Sequence, residues 1–433
     1  MQPPQLTTAA NTPPRRPRFA SLLPDITPLR EYRSYRLLWI GNLVSTSGTQ
    51  LRLVAVPYQI YLLTGSTLAV GLVGLFQAIP LLAFSLFGGV LADRYDRRRL
   101  LLLTQIGLSL TSTALAIATQ AGVASLPLIY ALTALGAAFS AIDGPARGAL
   151  TPTLIERRRD LPAAMALQQM VFQSAGVIGP AAAGVVLLTA GVAGAYAIDA
   201  ITFIAAILAV LAIKAPRREA VARVPVVRSL LEGYDYLRTN PLLFSTMSLD
   251  FLAMLFGSTR ALFPYFADRV FAVGPQGLGL MYAAPGLGAV VASITSGWVS
   301  GVRRQGLAVM ISVIVWGGAI AAFGLIGPSA FALGLFLLAI SEGADVISAV
   351  FRSTIMQTVV PDRLRGRIVS VNRMFVVGGP QIGQVQSGLL ATLLTPEIAV
   401  VAGGVICIAI VGALAVATPE LVAYVPARED DPI

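Results

Sequence analysis

The chain contains no histidine, one cysteine (Cys407) and one lysine (Lys214). Without imidazole there is no histidine general base and no histidine metal ligand. One thiol cannot by itself build a disulfide, a zinc site or an iron–sulfur cluster within one chain. A membrane enzyme would need clustered His, Cys or Ser/Asp groups at an interface, so the expectation is no enzyme, no metal and no cofactor. No Gly-x-x-x-x-Gly-Lys-Ser/Thr loop occurs, and nothing points to ATP hydrolysis. Charge is also scarce, at 12% of residues against about 25% in a soluble domain. What fills the 433 residues is apolar: 56% are hydrophobic and the mean hydropathy is +0.77. The net charge of +10 is carried almost wholly by arginines at the ends of apolar runs. That placement fits an anionic membrane surface and argues against nucleic acid.

Apolar runs long enough to cross about 30 Å of hydrocarbon recur near 37–63, 69–91, 100–120, 125–148, 164–190, 194–214, 242–267, 277–300, 305–326, 329–351, 367–392 and 397–418. The predicted fold is therefore an all-α membrane protein with twelve transmembrane helices. The fifth and sixth runs are separated only by Gly191-Val192-Ala193-Gly194. Residues 1–35, rich in Pro, Thr and Arg and lacking an apolar core, do not form a secretory signal and are expected to be a disordered cytoplasmic tail. Residues 419–433 are expected to be a second tail.

The connections sort by charge. Arg94–Arg99, Arg157–Arg159, Lys214–Arg238, Arg303-Arg304 and Arg363–Arg367 alternate with connections whose only arginine is Arg269. Basic loops remain cytoplasmic, so both termini are placed in the cytoplasm. The most informative loop is the first, where Gly88-Gly89 precedes Asp93-Arg94-Tyr95-Asp96-Arg97-Arg98-Arg99. These charges cannot enter lipid, and the glycines allow close approach of neighbouring helices.

The longest internal connection, a cytoplasmic linker at about 215–241, separates bundles at 36–214 and 242–418 that look related. Arg52 and Pro57-Tyr58 recur as Arg260 and Pro264-Tyr265. Asp143…Arg147 recurs as Asp345…Arg352, and Gly179-Pro180…Gly184 as Gly379-Pro380…Gly388. The offset is about 200 residues throughout, the mark of two pseudo-symmetric six-helix bundles that alternate access to a site between them.

With these features on the page, the chain resembles the major facilitator superfamily. The carrying motif is Gly-x-Leu-Ala-Asp-Arg-x-Gly-Arg-Lys/Arg, here Gly89-Val90-Leu91-Ala92-Asp93-Arg94-Tyr95-Asp96-Arg97-Arg98, with Asp96 in place of the glycine. The second-half counterpart, Gly297 to Arg304, has lost its aspartate. Within the superfamily the chain is similar to the enterobactin-exporter branch through Val54–Ile60 with Thr64–Thr67, Leu280–Pro285 with Thr295–Gly297, and Leu364–Arg367. Related drug and macrolide exporters share much of this pattern. Several relatives carry Gly-Asp where this chain has Gly48-Thr49.

The resemblance implies a conformational latch made by Gly89, Asp93, Arg94, Arg97 and Asp143, Asp143 matching the acid at the end of the fourth span. The alternative is that these are solvated loop charges. It also implies that spans one and seven line the cavity, which makes Arg52, Tyr58, Arg260 and Tyr265 candidate substrate-binding groups. An intramembrane arginine is a functional hypothesis by default. Arg52 could equally be half of a structural ion pair, Arg260 could snorkel outward, and the tyrosines could be packing groups. Asp250, Glu342 and Asp345 are the candidate proton carriers, with Asp199 also buried; a desolvated carboxyl takes up protons more readily, and Glu342 and Asp345 could share one. Salt bridging to Arg52, Arg260 or Arg352 is the competing reading. The expected function is proton-coupled export of an amphipathic small molecule, such as a catecholate siderophore, across the inner membrane by a monomer. The alternatives are a multidrug or macrolide exporter and, more remotely, a membrane sensor or scaffold. Expected partners are the small-molecule substrate, protons and the lipid bilayer.

Overall fold

The computed structural model describes residues 25–213 and 226–426; within these, the side chains of 85–94, 226–231 and residue 300 lie outside the described set. No strand occurs among the described residues. Twelve long helices occupy the predicted positions: α1 (Arg33–Thr64), α2 (Thr67–Arg94), α3 (Arg97–Gln120), α4 (Leu126–Leu150), α5 (Leu161–Thr189), α6 (Gly191–Ala212), α7 (Pro241–Gly257), α8 (Gly274–Thr295), α9 (Gln305–Gly324), α10 (Phe331–Val359), α11 (Asp362–Leu393) and α12 (Pro396–Ala417). Ten of them, among the described residues and with α7 counted together with its continuation to Val270, are long and apolar enough to cross a membrane on composition alone. The other two, α1 and α11, have 32 residues each but carry Asn42, Gln50 and Arg52, and Arg373, Gln381, Gln384 and Gln386. Mean hydropathy averages over all faces of a helix. A helix turned toward a polar interior scores low although it is long enough to span.

The ends of the helices are set by local chemistry. Asp96, the residue that departs from the glycine of the resembled motif, accepts a hydrogen bond from the Arg99 backbone N–H at 2.9 Å and caps α3. Asn240 caps α7 and Thr395 caps α12 in the same way, each satisfying a donor the helix leaves open. The thin break between α5 and α6 is real. It turns on Gly191 at φ 67°, a left-handed conformation that glycine adopts without steric cost. The arginines of the basic loops do more than mark topology. Arg97 donates to the Ala149 carbonyl at 2.9 Å and Arg98 to the Val210 carbonyl at 3.0 Å, where cations favour the carbonyl-rich helix ends.

Three boundaries differ from expectation. Residues 27–35, assigned to a disordered tail, are largely helical: a short helix covers Thr27–Glu31 and Tyr35 is fully buried at the start of α1, its hydroxyl donating to the Ala164 carbonyl at 2.7 Å. Residues 1–24 lie outside the described residues. The linker contains a helix at Val226–Thr239, joined to α11 by a Glu232–Arg367 ion pair. The C-terminal tail begins with a docked turn, Pro419–Ala423, whose Leu421 is fully buried beneath the start of α9; residues 427–433 lie outside the described set. In each case an apolar or aromatic side chain inside a polar stretch finds a groove, an outcome that composition does not register.

The first six helices pack as one bundle, α1 against α5 and α6, α2 against α4, and α3 against α4 and α6. The last six repeat the pattern, α7 against α11 and α12, α8 against α10, and α9 against α10 and α12. The halves meet along α2–α11 and α5–α8. Both contacts are backbone to backbone. A Cβ on Gly388 would lie 2.7 Å from the Thr67 carbonyl oxygen, and one on Gly279 would lie 2.6 Å from Gly184 Cα. These contacts run from the arginine-poor end of the bundle to mid-helix. One element breaks the symmetry. After Gly257, α7 is interrupted at Ser258-Thr259 and continues through short helical turns from Arg260 to Val270, whereas a single continuous span at 242–267 was expected. The Tyr282 hydroxyl donates to the Arg260 carbonyl at 3.0 Å beside this break, supplying a partner the irregular backbone needs inside a membrane.

Candidate functional site

Two cavities lie between and within the halves. The larger, about 550 Å³, is walled by α7, α8, α9, α10 and α11 with Phe172 of α5 reaching in from the first half. It runs from Arg260 and Pro380 near mid-helix to Thr246 and Met356 toward the arginine-rich end. Its apolar wall includes Met254, Phe263, Trp316 and Leu338. Set into that wall are five charges. Arg352 of α10 holds Asp250 of α7 at 2.7 Å and Asp345 of its own helix at 3.4 Å. Arg260, at the break in α7, faces Glu342 at 3.5 Å. Glu342 and Asp345, candidates to share a proton, each face a different arginine. All three candidate proton carriers thus line one cavity, each beside a guanidinium. Arg352, present in the sequence reading only as a repeat match and a possible ion-pair partner, is the group that ties two of them together. Its i, i+7 spacing from Asp345 was the available signal.

The smaller cavity, about 170 Å³, lies mostly against the first half at its seam with α11 and is lined by Arg52 and several uncharged polar side chains, Gln381 of α11 among them. Arg52 is here a member of an ion pair, its Nε lying 3.5 Å from Asp199 Oδ2 of α6. Asp199 is fully buried and also accepts from the Ser112 hydroxyl at 2.6 Å. Next to it, Tyr196 donates to Gln59 Oε1 at 2.8 Å, and Gln59 donates to Thr119 Oγ1 at 2.9 Å. The structural ion pair weighed for Arg52 is therefore present, and Arg52 borders a cavity as well. Replacing Arg52 by methionine is expected to lower the melting temperature sharply, since an orphaned buried charge costs about 3–5 kcal/mol. The double variant Arg52→Met with Asp199→Asn is expected to recover much of the loss. A melting temperature unmoved by the single change would show that the pair carries no structural role.

The tyrosine candidates lie elsewhere. The Tyr265 hydroxyl donates to Glu397 Oε1 at 3.0 Å, and Tyr58 packs half-buried against the core; neither lines either cavity. The physical reason is rotation about the helix axis: each residue turns by about 100°, and the break in α7 resets the phase before Tyr265. Of the proposed latch residues, Asp143 and Arg97 have the following partners in this conformation. Asp143 accepts from Arg147 at 2.8 Å, Thr104 at 2.8 Å and Gln105 at 2.7 Å, and Arg97 turns to Ala149. Gly89, Asp93 and Arg94 fall in the last turns of α2, with side chains outside the described residues.

A family model described as transmembrane secretion effector matches residues 24–429. The chain belongs to this family of the major facilitator superfamily. The transporter is 30% identical over 385 residues to the enterobactin exporter EntS of Shigella boydii serotype 18, covering 89% of this chain and 91% of the relative, and equally to EntS of Escherichia coli O81. Among solved structures, a bacterial homolog of the human lysosomal transporter Spinster superposes with a TM-score of 0.73 at 15% identity, covering 92% of this chain and 99% of that one. The nucleoside transporter NupG superposes at 0.71 with 14% identity, covering 88% of this chain and 98% of that one. This transporter is thus an all-helical secondary transporter of two pseudo-symmetric bundles, and a multi-pass membrane protein.

Proposed function

We propose that this transporter exports an amphipathic, oxygen-rich small molecule, a siderophore of the catecholate type, across the inner membrane, driven by proton entry. The observation that carries the reading is the larger cavity. Its aromatic and methionine wall suits a ring system, and its paired acids accept hydrogen bonds from hydroxyl groups and can exchange them for protons. The 30% identity to enterobactin exporters over most of the chain supports the substrate class. All twelve long helices span the bilayer, with both termini and the basic loops in the cytoplasm. The halves touch at the arginine-poor end while the cavity extends toward the arginine-rich end, so the molecule is loaded from the cytoplasm in this state. Asp250, Glu342 and Asp345 carry the proton, Arg260 positions the substrate, and Gly89, Asp93, Arg94, Arg97 and Asp143 latch the opposite state. The working unit is a monomer in the lipid bilayer.

The drug-exporter reading has one observation in its favour. Three acids face two arginines in the larger cavity, an excess of one negative charge that would attract a lipophilic cation. The test is uptake into proteoliposomes under an imposed pH gradient, comparing a catecholate siderophore with a lipophilic cation. Gradient-driven catecholate movement is expected, and it is expected to disappear in Asp93→Asn with membrane insertion unchanged. Movement of the cation alone would overturn the siderophore reading; full transport by Asp93→Asn would overturn the latch.

A further inference from the structure

The smaller cavity differs in kind from the larger one. Among the described residues no acid lines it; its polar lining is Arg52 and Thr49 of α1, Gln77 of α2, Thr133 and Ser140 of α4, and Gln381 of α11. Two of these groups present buried polar atoms with no hydrogen-bond partner, Arg52 Nη1 and Thr133 Oγ1. Thr133 as a whole is 7% exposed. A buried donor left unmade is costly, so atoms of this kind mark a place where a ligand atom repays the penalty. The lining offers a guanidinium, amides and hydroxyls, a set that recognises a carboxylate, a phenolate or a carbonyl.

The sixth group comes from the other half. Gln381 lies on α11, and its own backbone approaches Gly74 of α2 so closely that a Cβ there would clash with the Gln381 carbonyl. The cavity is therefore complete only while the α2–α11 contact is closed. We propose that the smaller cavity is a second subsite, selective for a hydrogen-bond-accepting anionic group, assembled across the two halves in the closed state and dismantled when α11 leaves α2. The larger cavity takes the donor-bearing or cationic part of the same molecule. This inference rests on the chain being a transporter whose halves separate, and it stands apart from which molecule is carried.

Fluorobenzoate and fluorobenzylammonium serve as probes of the two subsites, their binding to the purified full-length protein being followed by fluorine NMR. Fluorobenzoate is expected to bind, and to weaken about tenfold in Thr133→Val and in Gln381→Leu, with Thr133→Ser restoring it. Fluorobenzylammonium binding is expected to be unchanged in all three variants. Equal melting temperatures for wild type and variants separate the effect from misfolding. Failure of fluorobenzoate to bind wild type, or binding that is insensitive to both substitutions and lost instead in Arg260→Gln, would overturn the subsite. Neither of those results would touch the proteoliposome test of siderophore transport.

Discussion

Arg352→Met is expected to abolish transport and to destabilise the second bundle. The side chain is 14% exposed and stands between Asp250, 6% exposed, and Asp345, 20% exposed. Its removal leaves two carboxylates facing each other across an apolar cavity with no cation between them. Breaking a buried pair by deleting one partner costs about 3–5 kcal/mol. Transport is expected to fail because the guanidinium that holds both acids in the cavity is gone. Melting in detergent measures the first effect and uptake into everted vesicles the second. The double variant Asp250→Asn with Arg352→Gln replaces charge by neutral hydrogen bonding; it is expected to recover the melting temperature and to leave transport absent. A single variant that melts and transports like wild type would show that the three charges are independently solvated and do not form one cluster.

Gly279→Leu is expected to hold the protein open at its arginine-poor end. A Cβ at 279 would already lie 2.6 Å from Gly184 Cα and 2.7 Å from the Pro180 carbonyl oxygen, and backbone cannot step aside as a side chain can. Overpacking of this kind costs about 2 kcal/mol in the closed state only, which moves a two-state equilibrium about thirtyfold. The chain is convenient for measuring this, because its one cysteine, Cys407, is fully buried. A reporter at Thr67→Cys, placed in the α2–α11 contact, is expected to label with an impermeant maleimide at least about tenfold faster in the Gly279→Leu background. Transport is expected to fall by a similar factor. Unchanged labelling would mean that the α5–α8 contact does not close the same end of the bundle as α2–α11.

Much of the fold was legible because two signals in the sequence are set by the membrane itself. Hydrocarbon length sets the spacing of the spans, and the alternation of arginine-rich and arginine-poor connections distinguishes the two ends of the bundle. The repeat was legible for a similar reason: Arg52 and Arg260, or Asp143…Arg147 and Asp345…Arg352, recur at one offset. A repeat gives depth in the membrane and leaves open which way a side chain points about its helix axis. That missing angle is why Tyr58 and Tyr265 were grouped with Arg52 and Arg260, although the structure turns both tyrosines away from the cavities. It also hid the division into an acid-bearing cavity and an acid-free one, since Asp199 is remote from Arg52 in the chain and adjacent in space. The break after Gly257 left little trace, because Ser258-Thr259 is a mild local signal inside an otherwise apolar run. The latch was read from its motif alone. Three of its five residues, Gly89, Asp93 and Arg94, have side chains outside the described residues.

The interruption of α7 has a mechanical meaning. Its first-half counterpart, α1, continues as one helix from Arg33 to Thr64, with Pro57 inside it. In the second half, the segment from Arg260 to Val270 is a separate stub beyond Ser258-Thr259. Asp250 sits on the near side of that joint, anchored to Arg352, and Asp268 and Arg269 sit on the far side. The stub can swing while the Asp250–Arg352 pair stays in place, and Arg260, which begins the stub, then moves relative to Glu342. At the arginine-poor end, then, one wall is a jointed segment and the opposite wall is a single helix, so the two sides of the mouth are built differently although the halves repeat.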